Sequence, residues 1–476
     1  MKKLILIALM SSSLMACKDD KKQMAQENTP HEKVIDSIPT ITKDIIDTAV
    51  IYEANIRQYS KSGHFDEFTK DIPQLKQLGI KIIWLMPVFP ISETKRKATG
   101  GADSKFATDF PEAEQAKYLG SYYAVTDYTK INPEFGTIDD FRELVRTAHD
   151  NGMFVILDWV PNHTGWDHVW IKEHPEYYTK DQKGQITHPA GTDWTDVADL
   201  NYDNKEMRKE MIEDMQYWLK EEGVDGFRCD VAGSVPTDFW QDAIGQLRST
   251  KDIFMLAEAS EPELFKENLF DMGYAWDGHN MMNHIAQGKN VATDFYTYLD
   301  ERNAKYEADD ILMNFLTNHD ENSWNGTIGE RMGDAAPAML ALEYMTTGMP
   351  LIYSGMEYDL NHRLKFFEKD SIPKTKANMW PLLEKLGTLK NSNEALSESN
   401  IGAKINRIET GNKNVLMFSR EHNGKKIIYV ANLSNKAQTF NAKDISDLTD
   451  YMTNEIISAI DNKLTLKTWE YHVFIN

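Results

Sequence analysis

The sequence predicts an α/β fold: a (β/α)8 TIM barrel carrying a short inserted subdomain after its third strand, followed by a C-terminal antiparallel β domain. Three observations lead there. Eight apolar, strand-like runs separated by longer amphipathic stretches lie between about Thr48 and Leu389, and parallel strands need such crossover connections. No Gly-rich phosphate loop follows the first run, which removes the usual signature of the rival, a doubly wound open sheet. After Leu389 the pattern changes to short β runs joined by turn residues.

The units can be read in order. Val50 to Ile56 is the first strand, and a helix follows whose inner face is Phe65, Phe68, Ile72, Leu75 and Leu78, near helical spacing. Gly79 ends that helix and Ile80 to Val88 forms the second strand. Thr137 caps a helix with Phe141, Leu144, Val145 and Ala148 on one face, Gly152 stops it, and residues 154–160 make the third strand. The fourth unit repeats the plan with Ile212, Met215, Trp218 and Leu219, then Gly223, then residues 226–232. The remaining strands are placed at 253–259, 272–276, 311–318 and 350–355. Two long segments, 92–119 and 164–200, interrupt the pattern, and loops of that length are usually functional or carry their own small fold. In the tail, 414–421 and 426–433 flank Asn423-Gly424, a hairpin signal, and 470–476 is a terminal strand. The catalytic barrel is therefore assigned to 48–389 and a β-sandwich domain to 390–476.

The N-terminus reads as a targeting segment. Lys2 and Lys3 precede a short apolar run, Leu4 to Met10, too short to span a membrane. Leu14-Met15-Ala16-Cys17 resembles the lipobox of bacterial lipoproteins, which implies a signal peptide over 1–16 and lipid on Cys17. The polar stretch 17–47 reads as a flexible tether, and its Lys-Asp-Asp start resembles the surface-export signals of Bacteroidetes-type lipoproteins. These features place the protein outside the cytoplasm as an outer-membrane lipoprotein, facing the cell surface or the periplasm, with its lipid as the only membrane contact. With Cys17 acylated, Cys229 is left without a disulfide partner. A net charge of −22 opposes nucleic acid and anionic lipid headgroups as partners.

In such a barrel the active site forms at the C-terminal ends of the strands, and there this chain places carboxylates. Asp158, then Asn162 and His163, close the third strand; Arg228 and Asp230 close the fourth, Glu258 the fifth, His319 and Asp320 the seventh. Period-two alternation puts Arg228 and Asp230 on one side of their strand and Cys229 on the other. An arginine beside Asp230 is expected to lower its pKa, and the small apolar neighbours of Glu258 to raise that of the glutamate. Opposite shifts of that kind suit a retaining glycosidase, which needs an ionised nucleophile and a protonated acid. A histidine metal site would want several His on successive strand ends, where carboxylates dominate instead.

Four segments resemble, in order, the conserved regions of the α-amylase family of glycoside hydrolases: DWVPNH (158–163), GFRCD (226–230), MLAEA (255–259) and FLTNHDE (315–321). Segments 120–137 and 348–357 add to the likeness, which extends over about 48–385. The resemblance implies that Asp230 is the nucleophile, that Glu258 is the general acid and base, and that Asp320 grips sugar hydroxyls. It further implies that Tyr123 stacks under the sugar at the cleaved bond, that His163, Arg228 and His319 line the site, and that Asn162 can bind a structural calcium ion. No cofactor serves the chemistry. Gly233 and Ser234 stand where many members carry Lys-His toward the leaving group. The 164–200 segment is short for the family's extra domain, and the 92–119 segment either shapes the cleft or decorates its rim. The expected activity is retaining, endo-type hydrolysis of α-1,4-glucosidic bonds in starch-like glucans or maltooligosaccharides. A glucanotransferase or branching-type transglycosylase is the nearest alternative, and a non-catalytic glucan-binding lipoprotein a more distant one.

Overall fold

The computed structural model describes residues 40–101, 103–398, 403–445 and 447–476. The signal peptide, Cys17 and most of the tether lie outside the described residues. Eight parallel strands close into a barrel: β1 (Val50–Ala54), β2 (Ile80–Leu85), β3 (Phe154–Trp159), β4 (Gly226–Cys229), β5 (Phe254–Ala257), β6 (Met272–Tyr274), β7 (Ile311–Asn314) and β8 (Met349–Tyr353). Each pairs in parallel with its neighbours in chain order, and β8 closes onto β1. The observed strands are shorter than the apolar runs, because the last residues of several runs leave the ladder to build the site.

Alternation sorts the side chains. Ile51, Ile82, Trp84, Ile156, Leu256, Met313 and Leu351 fill the barrel interior as one cluster. Their strand neighbours, among them Val155, Phe227, Cys229 and Ile352, pack outward on the helices. The helix expected over 65–78 buries the expected face but breaks into Phe65–Thr69, Ile72–Leu75 and a 3-10 turn at Lys76–Leu78. Pro73 is the cause: it offers no N–H and its ring crowds the carbonyl of residue 69. Gly79 ends this segment at φ 78°, where a Cβ would strike the backbone of Gly387 at 2.7 Å. Gly226 opens β4 at φ 148°, and a Cβ there would lie 1.9 Å from the Phe254 carbonyl oxygen. Only glycine lets β4 lie this close to β5. The Thr137 cap is present as a full capping box with Asp140 on the helix Ile138–Asp150.

One reading needs adjustment. The tether assigned to 17–47 ends earlier, since Lys43–Asp47 is a helix. Ile41, Ile45 and Ile46 pack against the interior cluster of the barrel, so burial of three isoleucines outweighs a polar local composition. The C-terminal domain has a four-stranded antiparallel sheet of Asn406–Arg407, Val415–His422, Lys425–Asn432 and Tyr471–Ile475. One face, with Phe418, Tyr429 and Val473, joins the core of the barrel layer. The other packs Met417, Val430 and Phe474 against Phe440 and Leu466 of a two-stranded sheet. The hairpin turns at Asn423 and Gly424, both at positive φ. Among the described residues no helix is long and apolar enough to cross a membrane.

Candidate active site

The alternation that fills the barrel also builds the site. One step above the interior residues, the inward positions are Glu53 on β1, Asp158 on β3, Arg228 on β4 with Asp230 just beyond it, and Glu258 just beyond β5. Registers set Glu53 beside Trp84 and Asp158 beside Arg228. The guanidinium of Arg228 is fully buried. Its Nη1 donates to Asp158 Oδ1 at 2.8 Å and to Asp230 Oδ1 at 2.9 Å. Its Nη2 lies 3.0 Å from Glu258 Oε1, off the line of a hydrogen bond, so that contact is an ion pair only. Arg228 was expected to line the cavity; it lies beneath it and spaces three carboxyl groups.

Backbone contacts hold the pair in place. The Asp230 N–H donates to the Trp159 carbonyl at 2.8 Å and the Glu258 N–H to the Cys229 carbonyl at 3.0 Å. Glu258 Oε2 accepts the Val231 N–H at 2.8 Å. Val231 adopts φ 45°, ψ 41°, a left-handed conformation that a β-branched residue resists. That strain turns the Val231 amide toward the glutamate.

On the far side, His319 Nδ1 bonds Glu53, and its Nε2 shares a 2.7 Å hydrogen bond with the Tyr123 hydroxyl and lies 3.3 Å from Asp320. The Tyr123 hydroxyl also reaches Asp158 Oδ2 at 3.1 Å, and the Trp84 indole N–H donates to the same oxygen at 3.1 Å. Asp230, Glu258, Asp320, Tyr123, His163 and His319 all line one cavity of about 330 Å³. Asn162 does not; its amide meets His163 Nδ1 at 3.1 Å. Among the described residues no group of three or more His, Cys, Asp or Glu could hold a metal ion.

The electrostatics differ from the expectation. Asp230 is raised well above the ordinary carboxylate range, by burial first and by the charge of Glu258 second, with Arg228 only partly opposing. Burial outweighs the arginine, whose charge Asp230 shares with Asp158 and Glu258. Glu258 does not sit in an apolar pocket either, since Val231 and Arg228 both touch it. Asp158 is pushed up to about 6, by burial against the pull of Arg228 and His319. Burial disfavours the imidazolium of His319, yet Asp320 and Glu53 outweigh it and push the group up to about 9. The imidazole of His163, with no charged partner to offset burial, falls to about 3 and is neutral.

His319 therefore gives a signed prediction. Its pKa is higher folded than unfolded, so its contribution to stability is complete below about pH 6.5 and is lost as pH rises through about 9. Urea denaturation of the wild type and of His319→Gln across pH 6 to pH 9.5 should show the difference between them shrinking as pH rises. A difference independent of pH would remove the charged-histidine reading.

Several site residues were not singled out from the sequence. Glu53 and Trp84 are a lone acid and an indole in apolar strands, and period-two alternation from Ile51 and Ile82 would have aimed both inward. Lys97, Gly100 and Gly101 of the 92–119 segment line the cavity, so this segment shapes the cleft rather than decorating its rim. Buried Lys97 donates to the Asp193 carbonyl at 2.6 Å and pairs with Asp196 at 3.5 Å. Trp194, Asp193 and Asp196 come from the 164–200 segment, whose small two-stranded sheet is His163–Gly165 with Val197–Asp199. Only tertiary contact between two inserted segments shows that both belong to the site.

Paired carboxyl groups over a shared arginine, at the C-terminal mouth of a parallel barrel, are the machinery of a glycosidase. The comparisons agree. Residues 51–379 match the family model described as the catalytic domain of alpha-amylase; the chain belongs to that family of glycoside hydrolases. It is 27% identical to alpha-amylase 3 of Dictyoglomus thermophilum, over 83% of this chain and 86% of that protein. An alpha-amylase from Lactobacillus plantarum superposes with a TM-score of 0.79 at 30% identity, covering 91% of this chain and all (100%) of that one. The relatives also include an alpha-1,4-glucan:maltose-1-phosphate maltosyltransferase of Salinibacter ruber, 24% identical over 87% of this chain and 64% of that protein.

Proposed function

We propose that the protein is a retaining, endo-type hydrolase of α-1,4-glucosidic bonds in starch-like α-glucans or maltooligosaccharides. The observation that carries this reading is that Asp230 and Glu258 sit at the two ends of one guanidinium and face one cavity with Asp320. A carboxylate oxygen of Asp230 attacks the anomeric carbon while the bond to the departing sugar oxygen breaks and Glu258 protonates that oxygen. The product is a glycosyl ester on Asp230. Water then enters, Glu258 takes its proton, and the water oxygen displaces Asp230. Glu258 is the more open of the pair, which leaves it within reach of the departing sugar oxygen and of the incoming water. Asp320, its side chain 37% exposed, holds ring hydroxyls, and the flat face of Tyr123 supports the ring. No cofactor takes part in these steps, and calcium at Asn162 would be structural, held by further oxygen ligands. Lipid on Cys17 would hold this acidic body at the outer membrane, from whose anionic headgroups it is otherwise repelled.

Time-resolved product profiles from starch, pullulan and a cyclodextrin test the reading. A spread of linear maltooligosaccharides should appear early from starch. Longer or branched products at high oligosaccharide concentration would mean that a sugar hydroxyl replaces water as acceptor, the transglycosylase alternative. No new reducing ends from any of the three would sink the assignment.

A further inference from the structure

Among the described residues Trp324 is a conspicuous anomaly: an indole 44% exposed that lines the same cavity as the catalytic carboxylates. Exposing an aromatic ring of this size costs hydrophobic free energy unless something covers it in use. The turn that carries the ring is also tied down by side-chain hydrogen bonds. It is π-helical, Glu321–Asn325, a conformation frequent at functional sites. Asn318 Oδ1 accepts the Glu321 N–H at 2.8 Å, Asn325 donates to Glu321 at 2.8 Å, and buried Asn322 accepts the Leu364 N–H at 2.8 Å.

Behind the indole stand Phe366, with ring centroids 5.1 Å apart, and Phe367, at 5.9 Å. Phe366 in turn lies nearly parallel to Tyr123, at 6.5 Å and 13°. The aromatic surface therefore continues from the residue under the cleaved sugar out to the cavity wall. The 92–119 segment frames its outer edge: a Cβ on Gly100 would lie 2.8 Å from two carbons of the indole. A glycine at that point leaves room for the ring where it stands.

Resting on the α-glucan reading above, we propose that Trp324, framed by Gly100, is a stacking platform for a glucosyl unit neighbouring the one at Tyr123. A pyranose presents a face of C–H bonds that covers an aromatic ring while its hydroxyls stay at the edge, toward polar groups or water. The cavity volume, about 330 Å³, falls at the small end of the range of roughly 300–1,000 Å³ for ligand pockets. It suits a short run of linear glucan, with the ring at Trp324 held by apolar contact rather than by hydrogen bonds.

The test is calorimetric binding of maltotetraose to Asp230→Asn, which retains the cavity without turnover, alone and combined with changes at the platform. Trp324→Ala should weaken binding about tenfold, the factor expected for loss of one stacked ring, while Trp324→Phe keeps most of the affinity. Gly100→Ala, whose methyl group pushes the indole out of place, should weaken it in the same direction, and provides a second route should Trp324→Ala fold poorly. Unchanged affinity in both Trp324→Ala and Gly100→Ala overturns the platform and leaves the α-glucan reading standing. A parent Asp230→Asn protein that binds no maltotetraose sinks the α-glucan reading, and the platform with it.

Discussion

Asp230→Asn is expected to lower turnover of maltooligosaccharides by roughly four orders of magnitude or more, as loss of a covalent nucleophile does elsewhere. Glu258→Gln should be as damaging on natural glycosides and much less so on an aryl glycoside whose leaving group departs without a proton. The stability of the two proteins separates chemistry from folding. Asp230 is raised by burial and by Glu258, so its ionised form costs stability at neutral pH. The sign follows from linkage: a raised folded pKa means stability present at low pH and lost as pH rises through that value. An uncharged isostere escapes that loss, and Asp230→Asn should melt at or above the wild-type temperature at pH 7. Rates from steady-state kinetics and melting by calorimetry check both halves. An inactive variant that is also markedly less stable would point to misfolding instead of a missing nucleophile.

Arg228→Leu is expected to be the most destabilising single change at the site. Asp158 and Arg228 are both fully buried, and breaking a buried ion pair by removing one partner costs about 3–5 kcal/mol. Here three carboxyl groups lose their common cation at once, although Trp84 and Tyr123 still donate to Asp158. The deficit should be smaller at pH 5 than at pH 7.5, because Asp158 and Asp230, already raised, take up protons more readily once the arginine is gone. Arg228→Lys should recover only part of the stability and little activity, since an ammonium cannot span carboxylates that a planar fork holds apart. Equal deficits at both pH values in urea titrations would show that lost packing, not stranded charge, is the cause.

Both predictions depend on charges that face one another across different strands, and this is where sequence and structure part. Strand order, the helix faces at Phe141 or Trp218, and the turn at Asn423-Gly424 are local patterns, carried by periods of two and 3.6 and by the φ preferences of a few residues. The carboxylates were legible for the same reason: a strand whose period is two aims Asp158, Arg228, Asp230 and Glu258 at the mouth of any barrel it enters. Local pattern also misled where a single residue or a distant neighbour intervened, as Pro73 did in the helix over 65–78 and as the barrel interior did for Ile41, Ile45 and Ile46.

What the chain alone determined is therefore the barrel and the identity of the groups at its mouth. Tertiary structure alone decided how the charge is shared. Arg228 looked like the private partner of Asp230, two positions away, and became the common partner of Asp158, Asp230 and Glu258, because desolvation and Coulomb energy depend on distances in space and not along the chain. The same holds for Lys97, Gly100 and Trp324, which meet at the cavity only after two inserted segments and the turn beyond β7 have packed together.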